Sequence, residues 1–140
     1  MMTKRMVKHA AVAAVVAAAA IAGCGGDSAS DQKQSDEDAV RQVLTDLQEA
    51  SRSGDGERIC TQIFTPKLAD SVTKSASSGS CAKEVKRKLF SPKTQIAVED
   101  VTVPDTANAT ATVKEQNGNR STVFLVKQSG RWRVRAVQPA

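Results

Sequence analysis

The three cysteines are the side chains whose type and spacing best fit covalent chemistry in this 140-residue chain. Cys24 directly follows a small, apolar stretch, whereas Cys60 and Cys81 lie well beyond it. The only histidine is His9, and the chain contains no tyrosine. Acid–base chemistry would therefore fall mainly to carboxylates, because the other common proton carriers are scarce.

The segment before Cys24 has the pattern of an export signal. Residues 1–10 are basic, and residues 11–22 form an unbroken run of Ala, Val and Ile. That run is shorter than the roughly 20 strongly apolar residues that a membrane span needs. A basic start, a short apolar run and small residues at its end are instead typical of a cleaved signal peptide.

The tetrapeptide Ile21-Ala22-Gly23-Cys24 resembles the bacterial lipobox, in which an aliphatic residue and two small residues precede a cysteine that receives lipid. The resemblance implies that residues 1–23 are a lipoprotein signal peptide. Cys24 would then carry acyl chains such as palmitate, and more than one chain anchors stably. The protein is expected on the extracytoplasmic face of the cell membrane. The alternative is an ordinary secreted protein in which Cys24 pairs with another cysteine.

Cys60 and Cys81 are expected to form a disulfide. Export would place both thiols in an oxidising compartment, and they are the pair that remains once Cys24 is acylated. Closing a loop of about 20 residues is worth about 3 kcal/mol in the chain-entropy model. The alternative is a redox-active pair, although such cysteines usually lie close together in the sequence. No metal is predicted, because no further thiol and no histidine accompany the pair.

Residues 24–35 are polar or small, and we expect a flexible tether there because such a segment buries too little to offset its ordering entropy. The folded domain is expected over residues 36–140. The formal charge is +5, but three of the basic residues lie among the first eight. This modest excess, with only 3% aromatic residues, predicts no nucleic-acid partner.

The first half of the domain has helical patterns. Apolar residues recur at helical spacing over residues 39–50, and Ser35 or Asp36 is the expected cap. A short second helix is expected over residues 59–64. Thr65 followed by proline predicts a third helix, and residues 81–90 predict a fourth with its basic residues outward.

The second half has strand patterns. Apolar and polar residues alternate in four segments after residue 95, and the alternation changes phase near Glu99 and Asp100, which predicts a bulge. Asn117-Gly118 is typical of a hairpin turn. The predicted fold is α+β, with N-terminal helices packed on a curved, four-stranded antiparallel sheet that is cone-like.

Two parts of this layout resemble the nuclear transport factor 2-like superfamily, which includes the SnoaL-like proteins. One is the opening helix and the short segment that ends at Phe64; the other is the closing hairpin over residues 123–134, with Gly130 and Trp132. The resemblance implies a pocket between helices and sheet. In that superfamily some members bind small apolar molecules, some are enzymes and some mediate contacts, often as homodimers through the open sheet face.

The candidate contact residues lie mostly on the last strand. Arg131, Arg133 and Arg135 share one predicted strand face, and Arg120 on the adjoining strand would join them. With Trp132, they are candidates for contacts to an anionic ligand, a lipid headgroup or an envelope partner. The alternative is a solvated edge strand, whose charges prevent aggregation.

Three functions fit these features. The first is a non-enzymatic, lipid-anchored module that binds a small ligand, and the second is a protein-interaction module of the cell envelope. The third is a small SnoaL-like enzyme, in which Glu99 or Asp100 would be aimed inward with Arg133 as partner. The alternative for these two acids is a solvated bulge, which is the expected one. No cofactor is predicted. The residues that would line a pocket, if they are not core, are Val43, Leu47, Phe64, Leu89, Phe124 and Trp132.

Overall fold

The computed structural model describes residues 28–88 and 95–140. The predicted signal peptide, the acylation of Cys24 and the candidate pocket residue Leu89 lie outside the described residues. They therefore stay predictions.

Helices make up the first half of the described chain. Helix α1 spans Ser28–Ser53, and the short α2 spans Gly56–Arg58. A π-helical turn, Ile59–Ile63, follows directly. Helices α3 (Pro66–Ser75) and α4 (Cys81–Lys88) complete this half. The predicted cap of α3 is confirmed, because the Thr65 hydroxyl oxygen accepts the Leu68 backbone N–H at 3.2 Å.

Helix α1 begins earlier than the sequence pattern predicts. The tether prediction is wrong for residues 28–35, which are helical, and Asp36 is not a cap but lies inside the helix. Its side chain is buried and accepts a hydrogen bond from Gln32, one turn earlier, at 3.3 Å. Because adding residues to an existing helix costs far less than starting one, a polar segment can continue a helix that its later residues anchor.

The second half is a four-stranded antiparallel meander in the order β1-β2-β3-β4. Its strands are β1 (Ile96–Thr102), β2 (Asn108–Glu115), β3 (Arg120–Gln128) and β4 (Arg131–Pro139). The predicted fold class is confirmed, and so is the hairpin turn at Asn117-Gly118, where Gly118 has a φ of +88°.

Two bulges interrupt the sheet. The predicted one is confirmed, because the register shifts between Val98 and Asp100. The second was not predicted: Leu125 pairs with Val134 but Phe124 pairs with Ala136, which leaves Arg135 as the extra residue of β4. The alternation of β4 therefore changes phase after Val134, and Val137 packs against the core in the place expected for Ala136.

The core lies between α1, the π-turn and one face of the sheet. The predicted stripe of α1 is confirmed, with Val40, Leu44, Leu47 and Ala50 all at most 1% exposed. Leu47, Phe64 and Trp132, which would line a pocket if one were open, are buried core residues. Of the other predicted pocket residues, Val43 and the partly accessible edge of Trp132 line a groove between α1 and β4.

The free edge of β4 is partly covered by the segment before α3. Phe64 forms a parallel bridge to Val134, and the Thr65 N–H donates to the Val134 carbonyl at 2.8 Å. Covering an edge in this way limits strand pairing with other chains.

Gly56 permits a close approach of α2 and α4. A Cβ atom at this position would clash with the backbone carbonyl of Ala82. Because both partners are backbone or rigidly attached to it, the helices would have to separate. We expect Gly56→Ala to lower the free energy of unfolding by about 2 kcal/mol, as overpacked sites typically do. Urea unfolding measures this, and a loss below about 0.5 kcal/mol would contradict the assigned contact.

Candidate functional site

The four candidate arginines do not form one patch. Arg120 and Arg131 lie at opposite ends of the β3–β4 hairpin, since Arg131 pairs with Gln128 at the far end of β3. The Arg133 guanidinium donates to the carbonyls of Thr61 and Phe64, at 2.9 and 3.1 Å. Those two bonds fasten the π-turn to the sheet, so Arg133 is occupied by the fold itself.

The bulge in β1 carries no catalytic arrangement. Glu99 and Asp100 are both exposed, so the expected solvated bulge is confirmed and neither acid is aimed inward. Glu99 pairs with Arg120 at 2.8 Å rather than with Arg133. The hydrogen bond from Arg120 lowers the pKa of Glu99, which keeps it ionised. Asp100 accepts the Thr102 hydroxyl at 3.2 Å.

A buried charge cluster that sequence reasoning missed lies between α1 and the sheet. The Asp36 carboxylate accepts a hydrogen bond from the Lys127 ammonium at 2.7 Å and another from the Trp132 indole N–H at 3.2 Å. The Lys127 nitrogen also lies 5.6 Å from the centre of the Trp132 ring. The sequence does contain a signal for this cluster. Asp36 precedes Val40 by four residues, which places both on the buried face of α1.

The hydrogen bond from Lys127 lowers the pKa of Asp36, and those from Trp132 and Gln32 act in the same direction. Burial opposes them by disfavouring the charged form, but the donors prevail. Asp36 is therefore a carboxylate at neutral pH, and a carboxylate held by three donors is a weak base. The Asp36 cluster joins α1 to the sheet.

A second buried acid lies in α4. Glu84 is 4% exposed, and its carboxylate binds Lys88 at 2.8 Å and Arg87 at 2.9 Å. The hydrogen bonds from Lys88 and then Arg87 lower the pKa of Glu84. Glu84 thus neutralises part of the charge on the predicted basic face of α4. Lys83 and Lys86 are exposed on this helix and form no ion pair with the described residues.

An open cleft lies where α3 passes the outer face of β3 and β4. Its volume is about 410 Å³, within the range typical of ligand sites. We call it the α3–β4 cleft. It is lined by Thr65, Lys67, Leu68, Ser71, Phe124, Arg135, Ala136 and Gln138. Two of these residues are cations and none is an acid.

The bulge in β4 brings Arg135 to this cleft. As the extra residue of the strand, Arg135 is released from regular pairing, and bulges commonly redirect a side chain in this way. Its guanidinium carbon lies 5.8 Å from the centre of the Phe124 ring, which is a cation–π distance. Of the predicted contact residues, Arg135 is the one that lines the α3–β4 cleft.

The other surface depressions are weaker candidates for a ligand site. A groove of about 280 Å³ contains Trp132 and Arg131, but Arg58 on its wall is paired with Asp46 at 3.3 Å. A wide depression of about 730 Å³ at the β2–β3 hairpin contains Arg120, which Glu99 neutralises. A smaller cleft of about 220 Å³ lies between α1 and the β1–β2 loop.

Within residues 28–88 and 95–140, no three His, Cys, Asp or Glu side chains converge as they would around a metal ion. No helix in these same ranges is both long and apolar enough to cross a membrane.

No protein-family model matches the chain. No curated protein is significantly similar to it in sequence. Among solved structures, the chain is similar to an NTF2-like protein of unknown function from Shewanella baltica OS155, with 19% identity and a TM-score of 0.49. The alignment covers 76% of this chain and 96% of the other. The assignment to the α+β class rests on the strand order and helix packing described above.

Proposed function

We propose that the protein is a membrane-anchored, extracytoplasmic lipoprotein whose domain is a non-enzymatic binding module. The observation that carries the binding role is the α3–β4 cleft, which is open, of ligand size and free of carboxylates. Because Leu47 and Phe64 are buried in the core, the proposed ligand site is this surface cleft rather than the interior of the cone.

The state of the carboxylates supports binding over acid–base catalysis. A general base works best with a pKa near the operating pH. Hydrogen bonds lower the pKa values of Asp36, Glu84 and Glu99 instead, and each is already paired with a cation. These three acids stabilise the fold, and none of them lines the α3–β4 cleft.

The early start of α1 makes the proposed anchor a short one. Ser28 is the first residue of α1, four positions after Cys24. Four residues of extended chain span at most about 14 Å. An acylated Cys24 would therefore hold the domain close to the membrane surface, rather than on the longer tether that the sequence suggested.

The anchor is tested by metabolic labelling with palmitate. We expect label in the wild-type protein and none in Cys24→Ala, because the Cys24 thiol is the proposed acylation site. The double variant Cys60→Ala/Cys81→Ala is the matched control and should retain the label. Equal labelling of wild type and Cys24→Ala would contradict the proposed anchor.

The binding role is tested by native mass spectrometry of the purified protein. We expect a mass increment from a co-purified small molecule, released on unfolding. The increment should be lost in Arg135→Gln/Lys67→Gln, which removes both cations of the cleft. An increment that persists unchanged in that variant would contradict the assigned site.

A second candidate function is an interaction module of the cell envelope, with a second copy of the chain as one partner. It is favoured by the outer sheet face, where residues alternate with the buried ones of β2 and β3 and are only half-buried. These residues are Thr110, Thr112, Thr122, Phe124 and Val126. Light scattering distinguishes the interaction module from the binding module. Val126→Asp should abolish self-association through this face and leave ligand binding at the cleft unchanged.

A further inference from the structure

We infer that the α3–β4 cleft takes a small anionic amphiphile, meaning a carboxylate with an apolar tail. This inference rests on the proposed binding role and specifies its ligand class. The carboxylate binds between Arg135 and Lys67, and the tail lies along Leu68 and Phe124. The proposal is supported by the charge balance of the cleft, by the engagement of Arg120 and Arg133 elsewhere, and by the apolar residues that line the cleft.

The charge of the cleft is uncompensated. Within the described ranges, neither Lys67 nor Arg135 forms an ion pair, and no acid lines the cleft. Two other arginines of the sheet are engaged: Arg120 by Glu99, and Arg133 by two carbonyls. Two unpaired cations at one cleft repel each other and favour an anion between them.

Arg135 is partly held in place before any ligand arrives. Its position over the Phe124 ring restricts the side chain without neutralising its charge. The strand bulge fixes its backbone direction. A guanidinium presented in this way can donate two parallel hydrogen bonds to one carboxylate, which favours a planar anion.

The rest of the lining selects an apolar tail. Leu68, Phe124 and Ala136 are half-buried, so part of their apolar surface still contacts solvent. Covering that surface supplies the non-directional part of the binding energy. A bare inorganic anion would leave it exposed, and a neutral alcohol would leave both cations unpaired.

The test is calorimetric titration of the purified protein at low ionic strength with three probes: octanoate, octan-1-ol and inorganic phosphate. We expect octanoate to bind at least tenfold more tightly than either of the others. Arg135→Gln and Lys67→Gln should each weaken octanoate binding about tenfold. Arg41→Gln removes the same charge from an exposed site on α1 and should leave the affinity unchanged. Circular dichroism checks that each variant is folded.

The other outcomes overturn the inference in distinguishable ways. Octan-1-ol binding as tightly as octanoate would refute a requirement for the anion. Phosphate binding as tightly as octanoate would refute a role for the tail. Octanoate affinity that is equal in wild type and Arg135→Gln would refute the site. Absence of all binding, together with a co-purified mass increment that depends on the cleft, would refute the ligand class and leave the proposed binding role standing.

Discussion

Replacing Asp36 by alanine is expected to lower the free energy of unfolding by about 3 kcal/mol at neutral pH. Asp36 is 4% exposed and accepts hydrogen bonds from Lys127, Trp132 and Gln32. Its removal leaves the Trp132 indole N–H buried without its acceptor and Lys127 without its counter-ion. Breaking a buried pair by removing one partner costs about 3–5 kcal/mol, and the lower figure applies because Lys127 is partly exposed to water.

Urea unfolding measures this change, with circular dichroism as the signal because Trp132 fluorescence would itself respond to the substitution. Asp38→Ala is the matched control, since Asp38 is an exposed acid on the same helix. We expect that control to change stability by less than about 0.5 kcal/mol. A similar loss in both variants would show that helix α1, rather than the buried cluster, accounts for the effect.

The same carboxylate predicts an acid-sensitive fold. The pKa of Asp36 is lower in the folded protein than its ordinary value, mainly because Lys127 binds the ionised form. Its contribution is therefore complete above the unfolded pKa of about 4 and is lost as pH falls through the lower folded pKa.

Asp36→Asn separates this contribution from those of Glu84 and Glu99, whose pKa values are also lowered. We expect the stability difference between wild type and Asp36→Asn to be constant from pH 7 to about 5. It should shrink below about pH 4, as the wild-type carboxylate becomes protonated. A difference that grew on acidification would contradict the direction of the shift.

Much of the fold could be predicted because the spacing of apolar residues along the sequence indicates which side chains are buried. Val40, Leu44 and Leu47 recur at helical spacing, and they are buried on α1 as expected. The phase change near Glu99 predicted the bulge in β1 because Val98 and Val101 must both face the core. Asn117-Gly118 predicted the hairpin turn because glycine readily adopts the positive φ that the turn requires.

The features that the sequence did not predict have physical causes that composition alone does not reveal. The second bulge escaped prediction because Ala136 is small enough for either face of β4, while Val137 takes the core position. The sequence did not predict that α1 starts at Ser28, because the first turns of this helix are stabilised by later residues rather than by apolar residues of their own. The sequence pattern predicts Ser35 or Asp36 as a cap, whereas the spacing of Asp36 to Val40 places it on the buried face of α1.

The candidate site was harder to predict than the fold, because its parts are distant in the sequence. Arg135 was a candidate from its strand, but Lys67 and Leu68 come from α3 and meet it only in the folded protein. Arg133 looked equivalent to Arg135 in the sequence, yet it binds the carbonyls of the π-turn. Which arginine is free for a ligand depends on the bulge, which sets the direction of each side chain.

The predicted Cys60–Cys81 disulfide is confirmed, and its removal is expected to cost about 3 kcal/mol. The two cysteines are 21 residues apart, and opening a loop of that length restores about this much entropy to the unfolded chain. The loss also weakens the folded protein locally. Helix α4 is described over eight residues, and a short helix is marginal unless tertiary contacts hold it.

The bridge also connects α4 to the π-turn that Arg133 and the Phe64–Val134 pairing fasten to β4. Cys60→Ser/Cys81→Ser should therefore raise amide hydrogen exchange in α4 more than in β3, because β3 is paired on both sides.

Trp132 fluorescence in urea measures global stability. Dithiothreitol should lower the wild-type value to that of the double variant and leave the variant unchanged. Cys24→Ser, which keeps the bridge, should match wild type under both conditions. If the double variant lost less than about 1 kcal/mol, the bridge would not be a main support of the domain, and the helical half would have to hold through packing alone.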